Sequence, residues 1–382
     1  MNSPTVTSFV GTFLKPEMWH VYNQVHGLRR FKSIVVTRER RYEGLFPHGG
    51  VHLLHSYPMT LWDRIRLKYL GKEDRSVYTG SIPSLAQQLD GLGTDLLHIY
   101  FGHEGTRLAP LLLHWEKPVV VSFHGADLGT YVRRPKDVVW LPTLFGKARR
   151  ILARCDYFVP YLEELGCPRE KIRINRTHVL TDFFRPVARP WPSDGAFNLM
   201  QACRFIPKKG LLTTVRAFAE FRKAFPKAAL FLAGDGPQMG ALMKEIWALD
   251  LTRHVHFTGF LDRGSLRDLF GQCHFFLHPS DRDSGNDIEG IPNALVEAMA
   301  TGLPSFSTPH AGIPEVIDDG KNGFMVEVGD HAGLAERLVA LATDETACRA
   351  IAEAGAKRVH DGYNPGLQIA KLEEIYAEAM AR

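Results

Sequence analysis

Cysteine is scarce. The 382 residues hold five, Cys155, Cys167, Cys203, Cys273 and Cys348, with no C-x-x-C pair among them. So sparse and odd a set argues against a disulfide framework or a zinc site and suits reduced thiols in the cytosol. No stretch approaches the ~18 uninterrupted apolar residues of a spanning helix. The first residues, Met1-Asn2-Ser3-Pro4-Thr5, lack the basic stretch and apolar run of a signal peptide, so the expected location is cytoplasmic. No Gly-x-Ser-x-Gly elbow, Walker loop or His-Glu-x-x-His motif occurs, and there is no internal repeat or low-complexity tract.

The length is too great for one typical core, so two domains are expected. Charge divides unevenly between them. Residues 1–190 hold 27 Lys and Arg against 17 Asp and Glu, whereas the remainder holds 19 against 25. Basic clusters such as Arg29-Arg30-Phe31-Lys32 and Arg133-Arg134-Pro135-Lys136, and the mixed stretch Leu61-Trp62-Asp63-Arg64-Ile65-Arg66-Leu67-Lys68-Tyr69-Leu70, suit peripheral contact with an anionic membrane or a plain solvated basic face. No recognition motif accompanies the charge, so nucleic acid is not an expected partner.

Strand-like and helix-like segments alternate throughout. Residues 33–37, 96–100, 118–123, 157–160 and 172–174 read as buried parallel strands of a first sheet. Val187 to Gly195, rich in Pro and small polar residues, reads as a linker. A second alternation follows, with strands at 197–202, 229–233, 255–257 and 274–278, a helix from Leu211 to Phe225 and a last amphipathic helix from Gly366 to Met380. The expected division is residues 1–186, a linker at 187–195, residues 196–364, and a C-terminal helix at 365–382 returning to the first domain. The fold class is α/β, two Rossmann-like sheets facing a central cleft.

Ligands of open α/β sheets bind beyond the carboxyl ends of the strands, and several polar residues fall there. The richest segment is Asp287-Ile288-Glu289-Gly290-Ile291-Pro292-Asn293-Ala294-Leu295-Val296-Glu297-Ala298-Met299-Ala300. Gly290 allows close approach of backbone to ligand, and Pro292 suits the first turn of a helix. Glu289 would stand just before the helix and Glu297 about two turns inside it. A fully helical span would set them about 12 Å apart, roughly a sugar diphosphate, with free N–H groups between. The same pair also reads as an N-terminal charge and a core-edge salt bridge. Arg204 and Lys209, five residues apart around Pro207, suit a diphosphate or form a solvated basic turn. Gly234-Asp235-Gly236-Pro237 and Thr258-Gly259-Phe260-Leu261 are post-strand turns able to approach a nucleotide. His124, in His124-Gly125-Ala126-Asp127, is either a ligand-facing or a hydrogen-bonded edge histidine. Asp281-Arg282-Asp283 has the look of a metal-binding D-x-D, but a loop role is preferred, and no metal is expected.

Together these motifs resemble the retaining family 4 glycosyltransferases of the GT-B fold. The resemblance rests on Glu289 to Ala300 followed by Gly302-Leu303-Pro304, on Arg204 to Leu211, on Gly234 to Pro237, on His256 to Leu261, and on Ala311 to Ile317 with Gly320 to Gly323. In the first half, Phe123 to Asp127 and His98 to Gly102 are similar to the colanic-acid branch of exopolysaccharide synthesis. It implies an acceptor-binding first domain and a second domain that holds a nucleotide-sugar donor, a UDP-sugar first and a GDP-sugar second, with no cofactor. Glu289 would bind donor sugar hydroxyls, Glu297 the ribose, and Arg204 and Lys209 the leaving diphosphate. Gly234, Gly236, Phe260, Leu261 and the backbone at Gly290, Ile291, Pro292 and Asn293 would line the donor, and His124 would contact its sugar. The acceptor would be lipid-linked or another glycan. Transfer would proceed with retention and without an obligatory metal, by front-face attack aided by the donor's own phosphate. The glycine-rich loop of many relatives is replaced by Phe13-Leu14-Lys15-Pro16-Glu17-Met18-Trp19, and Leu180 stands where an acid is common. A nucleotide-sugar epimerase and a non-catalytic binding subunit are the alternatives from other classes.

Overall fold

The computed structural model describes residues 3–54, 82–125, 127–281 and 290–381, without the side chains of Glu17, Thr130, Tyr131 and Lys136. The chain divides into two compact units. One comprises residues up to His178 with the C-terminal segment from Pro365; the other begins at Val179 and runs to Asn364.

In the first unit, β1 (Thr5–Phe13), β2 (Lys32–Arg40), β3 (Val51–Leu53), β4 (Leu96–Tyr100), β5 (Val119–Phe123), β6 (Arg150–Ala153) and β7 (Ile172–Ile174) form one sheet in the order β3-β2-β1-β4-β5-β6-β7. Every pairing is parallel. Parallel strands need crossover connections, which place all carboxyl ends on one edge, and the order reverses between β1 and β4.

Three differences from the sequence reading appear here. The central strand β1 carries Thr7 and Ser8 in its buried interior, which breaks the apolar run that marks such strands; Thr7 Oγ1 is paired at 2.7 Å with Thr94 Oγ1. Residues 157–160, expected as a strand, belong to a short 3-10 turn, Asp156–Phe158, and the helix Val159–Glu164, with Pro160 in its first turn. The strand of that region lies earlier, at β6.

The second unit repeats the design. Strands β8 (Asn198–Ala202), β9 (Ala229–Ala233), β10 (Val255–Gly259), β11 (Phe275–His278), β12 (Ser305–Ser307) and β13 (Phe324–Met325) are ordered β10-β9-β8-β11-β12-β13, again all parallel. One side of this sheet packs Phe197, Phe218, Phe221 and Phe275 into a core; the other packs Phe276, Leu295, Met299 and Ile313. The short strands β12 and β13 carry too few residues to stand out in the sequence.

Residues 187–195 are built into this second unit. Val187 N–H donates to Thr301 O, and the Arg189 guanidinium donates to the carbonyls of Phe270, Thr301 and Gly302. Trp191 meets Phe197 edge-on at 5.3 Å. Proline and small polar residues mark an irregular segment, and here the half-buried Arg189 straps that irregular backbone to the second unit.

The helix Pro365–Met380 packs in the first unit. Glu373 Oε1 accepts from the amides of Arg29 and Arg30 at 2.6 and 2.7 Å, and Tyr376 Oη bonds His98 Nδ1 at 2.6 Å. Glu378 receives Arg150 at 2.7 Å and is also bonded by Arg173, so part of the basic surplus is neutralised at this helix. Leu61 to Leu70 lies outside the described residues. Among those described, no helix is long and apolar enough to cross a membrane.

Arg150, then Arg173, lowers the Glu378 carboxyl from its usual 4.5 to about 2. The stability it contributes is therefore complete above the usual value and lost as pH falls through about 2. Glu378→Gln is expected to be less stable at neutral pH and less acid-sensitive between about pH 5 and 2, measured by denaturant titration. Equal acid sensitivity in both proteins would contradict the pairing.

Candidate active site

The strand order of the second sheet reverses between β8 and β11, so the loops after these strands are neighbours at the carboxyl edge. They carry Arg204, Lys209 and the Glu289–Glu297 element. After β8, the chain runs through Cys203 and Arg204 into a 3-10 turn at Pro207–Lys209, then Gly210 starts the helix Leu211–Ala224 in the left-handed region at φ 63°. Gln201, fully buried in β8, pins this loop. Its Nε2 donates to Lys209 O at 2.6 Å, and its Oε1 accepts from Thr214 Oγ1 at 2.6 Å. Lys209 is left 8% exposed, whereas Arg204 is exposed.

The β8 and β11 loops are bonded to one another. Asp281 N–H donates to Lys208 O at 2.9 Å. Gly210 lies so close to Pro279 that a Cβ there would come within 1.8 Å of the Pro279 carbonyl oxygen. Only glycine meets both the left-handed φ and this approach.

The β9 loop joins the same edge. Phe205 N–H donates to Asp235 O, Gln238 N–H to Phe205 O, and Gly234 N–H to Gly259 O. A Cβ on Gly234 would meet Cys203 O at 1.9 Å, and one on Gly236 would meet Phe205 O at 2.6 Å. Close packing of the β9 loop against the β8 loop therefore accounts for both glycines. In the β10 loop Phe260 is 68% exposed, while Leu261 packs partly into the core.

The β11 side differs from expectation in its helix start. Pro292 is the N-cap, with extended φ and ψ, and the helix is Asn293–Ala300. Glu297 is thus its fifth residue, just over one turn inside rather than two, and the 12 Å helical span does not apply. Glu289 lies outside the described residues, as do Arg282 and Asp283. Gly290 and Ile291 are half-buried, with Ile291 packed on the core, and Pro292 is buried. Pro292 supplies no side-chain cap, and the first intrahelical bond is from Val296 N–H to Pro292 O. First-turn amides of such a terminus favour an anion.

Glu297 has a partner that the sequence did not signal. Arg263, one residue into the helix Arg263–Gln272, brings Nη2 to 3.6 Å from Glu297 Oε1, with 14% and 15% of the two side chains exposed. The guanidinium also lies over the rings of Phe183 and Phe184 at 5.6 and 5.3 Å. Asp262 caps this helix by accepting from Ser265 N–H at 2.9 Å. Burial raises the Glu297 carboxyl from 4.5 to about 7 against the opposing charge of Arg263.

In the first unit, His124 follows β5. Its backbone N–H donates to Asp127 Oδ1 at 2.7 Å, and the N–H of Gly102, after β4, donates to Asp127 Oδ2 at the same distance. One buried carboxylate thus ties the β4 and β5 loops together; burial raises its pKa. The His124 ring lies 4.6 Å from Phe101 and 5.2 Å from His20, and Arg154 Nη1 is 3.4 Å from its Nδ1. Burial, then Arg154, holds His20 and His124 well below the usual histidine value. His20, Arg154 and Arg263 are the residues that sequence reasoning missed as parts of these edges, and Asp127 was quoted there only as part of the His124 motif, without the loop-tying role it has. Only Asp262 and Ser265, spaced as a cap, gave a local hint of where Arg263 sits. The described residues hold no group of three or more His, Cys, Asp or Glu placed for a metal ion, and the five cysteines are free thiols.

Two family models match the two halves: "Glycosyltransferase Family 4" over residues 19–182 and "Glycosyl transferases group 1" over residues 192–358. WcaL of Escherichia coli K12, named for colanic acid biosynthesis, is 31% identical over 293 residues, covering 75% of this chain and 71% of WcaL. The chain belongs to the family 4 glycosyltransferases. AmsK of Erwinia amylovora, an amylovoran biosynthesis glycosyltransferase, is 29% identical over 74% of this glycosyltransferase and 69% of AmsK. Among solved structures, Anabaena HepE in complex with UDP and glucose superposes with a TM-score of 0.78 at 18% identity, covering 98% and 99% of the two chains. Sucrose-phosphate synthase of Thermosynechococcus elongatus gives 0.76 at 17%, covering 98% of each. These likenesses establish the GT-B fold, two Rossmann-like domains.

The raised pKa of Glu297 has a stability consequence. The folded protein binds this proton more tightly than the unfolded chain, so stability falls as pH rises from 4.5 through about 7. The shift is worth on the order of 3 kcal/mol. Glu297→Gln is expected to flatten that decline in denaturant titrations of ligand-free protein at about pH 5 and 8. A decline as steep as in the wild type would contradict the buried environment.

Proposed function

We propose that this glycosyltransferase moves a hexose from a nucleotide-diphosphate sugar to a lipid-linked or other glycan acceptor in exopolysaccharide or glycolipid biosynthesis. The observation that carries the reading is the carboxyl edge of the second sheet, where the loop of Arg204 and Lys209 is bonded to the loop that leads to an uncapped helix start. Two cations and a helix terminus suit a diphosphate leaving group. They would offset the charge that develops as the glycosidic bond breaks, a term that commonly dominates such catalysis. With these cations in that role, transfer needs no obligatory metal or cofactor.

Glu297 would accept from the ribose hydroxyls, and Arg263 would favour its ionised form. Glu289 would bind hydroxyls of the donor sugar, and His124 would be a donor-sugar contact. Phe260, Leu261 and the turn at Gly234 and Gly236 would border the nucleotide. Transfer with retention follows from the family resemblance, with the donor phosphate helping to deprotonate the acceptor. HepE in complex with UDP-glucose supports a UDP-sugar. A GDP-sugar is the second reading, supported by a GDP-mannose-dependent mannosyltransferase of Mycolicibacterium smegmatis that is 30% identical over 45% of each chain. WcaL and AmsK support the polysaccharide setting. A cytoplasmic location, with peripheral contact through the basic first half, matches a lipid-linked acceptor.

A thermal-shift screen of UDP, GDP and their sugars tests the donor, since a ligand bound only by the folded state raises its apparent stability. UDP-sugars should give the largest rise, and no rise with any nucleotide sugar would overturn the reading. In turnover assays, Glu289→Ala should abolish transfer and Lys209→Ala should lower kcat by roughly a hundredfold or more. A change confined to the acceptor KM in Lys209→Ala would contradict the leaving-group role.

A further inference from the structure

We propose that His20 is a sugar-binding residue of the first unit, paired with His124 as a site for ring hydroxyls. The inference rests on the glycosyltransferase reading above and adds a residue to it that no motif marks. His20 belongs to the helix Trp19–Gly27, which follows β1, whereas His124 follows β5. Helix and loop come from opposite sides of the strand reversal and set the two rings 5.2 Å apart, tilted by 40°.

Three nitrogens of this pair are buried and lack a hydrogen-bond partner among the described residues: Nδ1 and Nε2 of His20, and Nε2 of His124. Native proteins leave few such atoms unpaired, and a concentration of them in one place marks a position where a ligand completes the bonding. Arg154 can only donate, so the contact of its Nη1 with His124 Nδ1 assigns the lone pair to Nδ1 and the proton to Nε2. His20, equally neutral beside Arg154, has one donor and one acceptor nitrogen. The pair therefore presents two N–H donors and one lone pair.

A hydroxyl both accepts and donates, so vicinal ring hydroxyls satisfy all three positions. A phosphate or carboxylate only accepts and would leave the His20 lone pair facing oxygen. The nearby Arg154 cation opposes a bound metal ion. The hydroxyls can belong to the donor hexose or to an acceptor sugar, and the test separates these sources.

Dissociation constants for UDP and UDP-glucose, and for GDP and GDP-mannose in parallel, would be measured calorimetrically for wild type, His20→Leu and His20→Asn, together with the acceptor KM. His20→Leu should melt no lower than wild type, because it removes two unpaired buried nitrogens. It should bind the bare nucleotide normally. Either the advantage of the nucleotide sugar over the nucleotide falls about tenfold, assigning the donor hexose, or the acceptor KM rises about tenfold, assigning the acceptor sugar. His20→Asn, which keeps a donor and an acceptor, should recover part of the loss and serves if the leucine variant does not fold. Variants that fold normally yet retain both quantities overturn the inference and leave the donor reading intact, as does an equal loss for nucleotide and nucleotide sugar. A wild type that binds none of the four ligands overturns the donor reading itself, and this inference with it.

Discussion

The carboxyl edge of the second sheet depends on one steric constraint, the approach of Gly210 to the carbonyl of Pro279. A parallel sheet delivers all its carboxyl ends to one edge, but only the reversal between β8 and β11 makes the two following loops neighbours. Gly210 lets them touch, with left-handed backbone and no Cβ, and the Asp281–Lys208 amide bond fixes their register. Gln201 then reaches from the strand to hold the Lys209 carbonyl. The backbone of Lys208 and Lys209 is thus held from two sides, by the neighbouring loop and by the Gln201 side chain. Gly234 and Gly236 extend the same logic to the β9 loop, where absent side chains admit the backbone of Cys203 and Phe205.

The two units use buried charge in opposite ways. In the second, burial pushes Glu297 towards the neutral form while Arg263 pulls it back, leaving a carboxyl that titrates near neutrality. In the first, burial and Arg154 keep His20 and His124 uncharged, while Asp127 spends both carboxylate oxygens on the amides of the two loops that carry Gly102 and His124. Ionic groups suit a diphosphate, and neutral imidazoles suit hydroxyls.

Much of this was legible in the sequence where local rules act alone. Pro292 and Gly290 punctuate a helix start, and β9 and the helix at 211–224 show clean patterns, so their positions were read to within a residue or two. The alternation of segments also disclosed two Rossmann-like sheets. Tertiary pairing was not legible. Arg263 and Glu297 lie on separate helices, and His20 stands in an ordinary helix start; neither spacing signals contact. Strand β1 was hidden because Thr7 and Ser8 interrupt its apolar run; Thr7 is accommodated in the buried strand by its bond to Thr94 Oγ1. Val159 and Pro160 formed a short apolar run that periodicity cannot assign, and proline at the helix start decided it. At residues 187–195 composition reports irregular backbone, but not the contacts that Arg189 makes.

The central claim is that the Lys209 loop recognises the diphosphate of the donor. Calorimetric comparison of UDP with uridine, in wild type and Lys209→Ala, tests it most directly because the two ligands differ only in the phosphates. The account predicts that UDP binding weakens by about tenfold or more in the variant while uridine binding is unchanged. Equal affinity of the two proteins for UDP, or an equal loss for UDP and uridine, would contradict it.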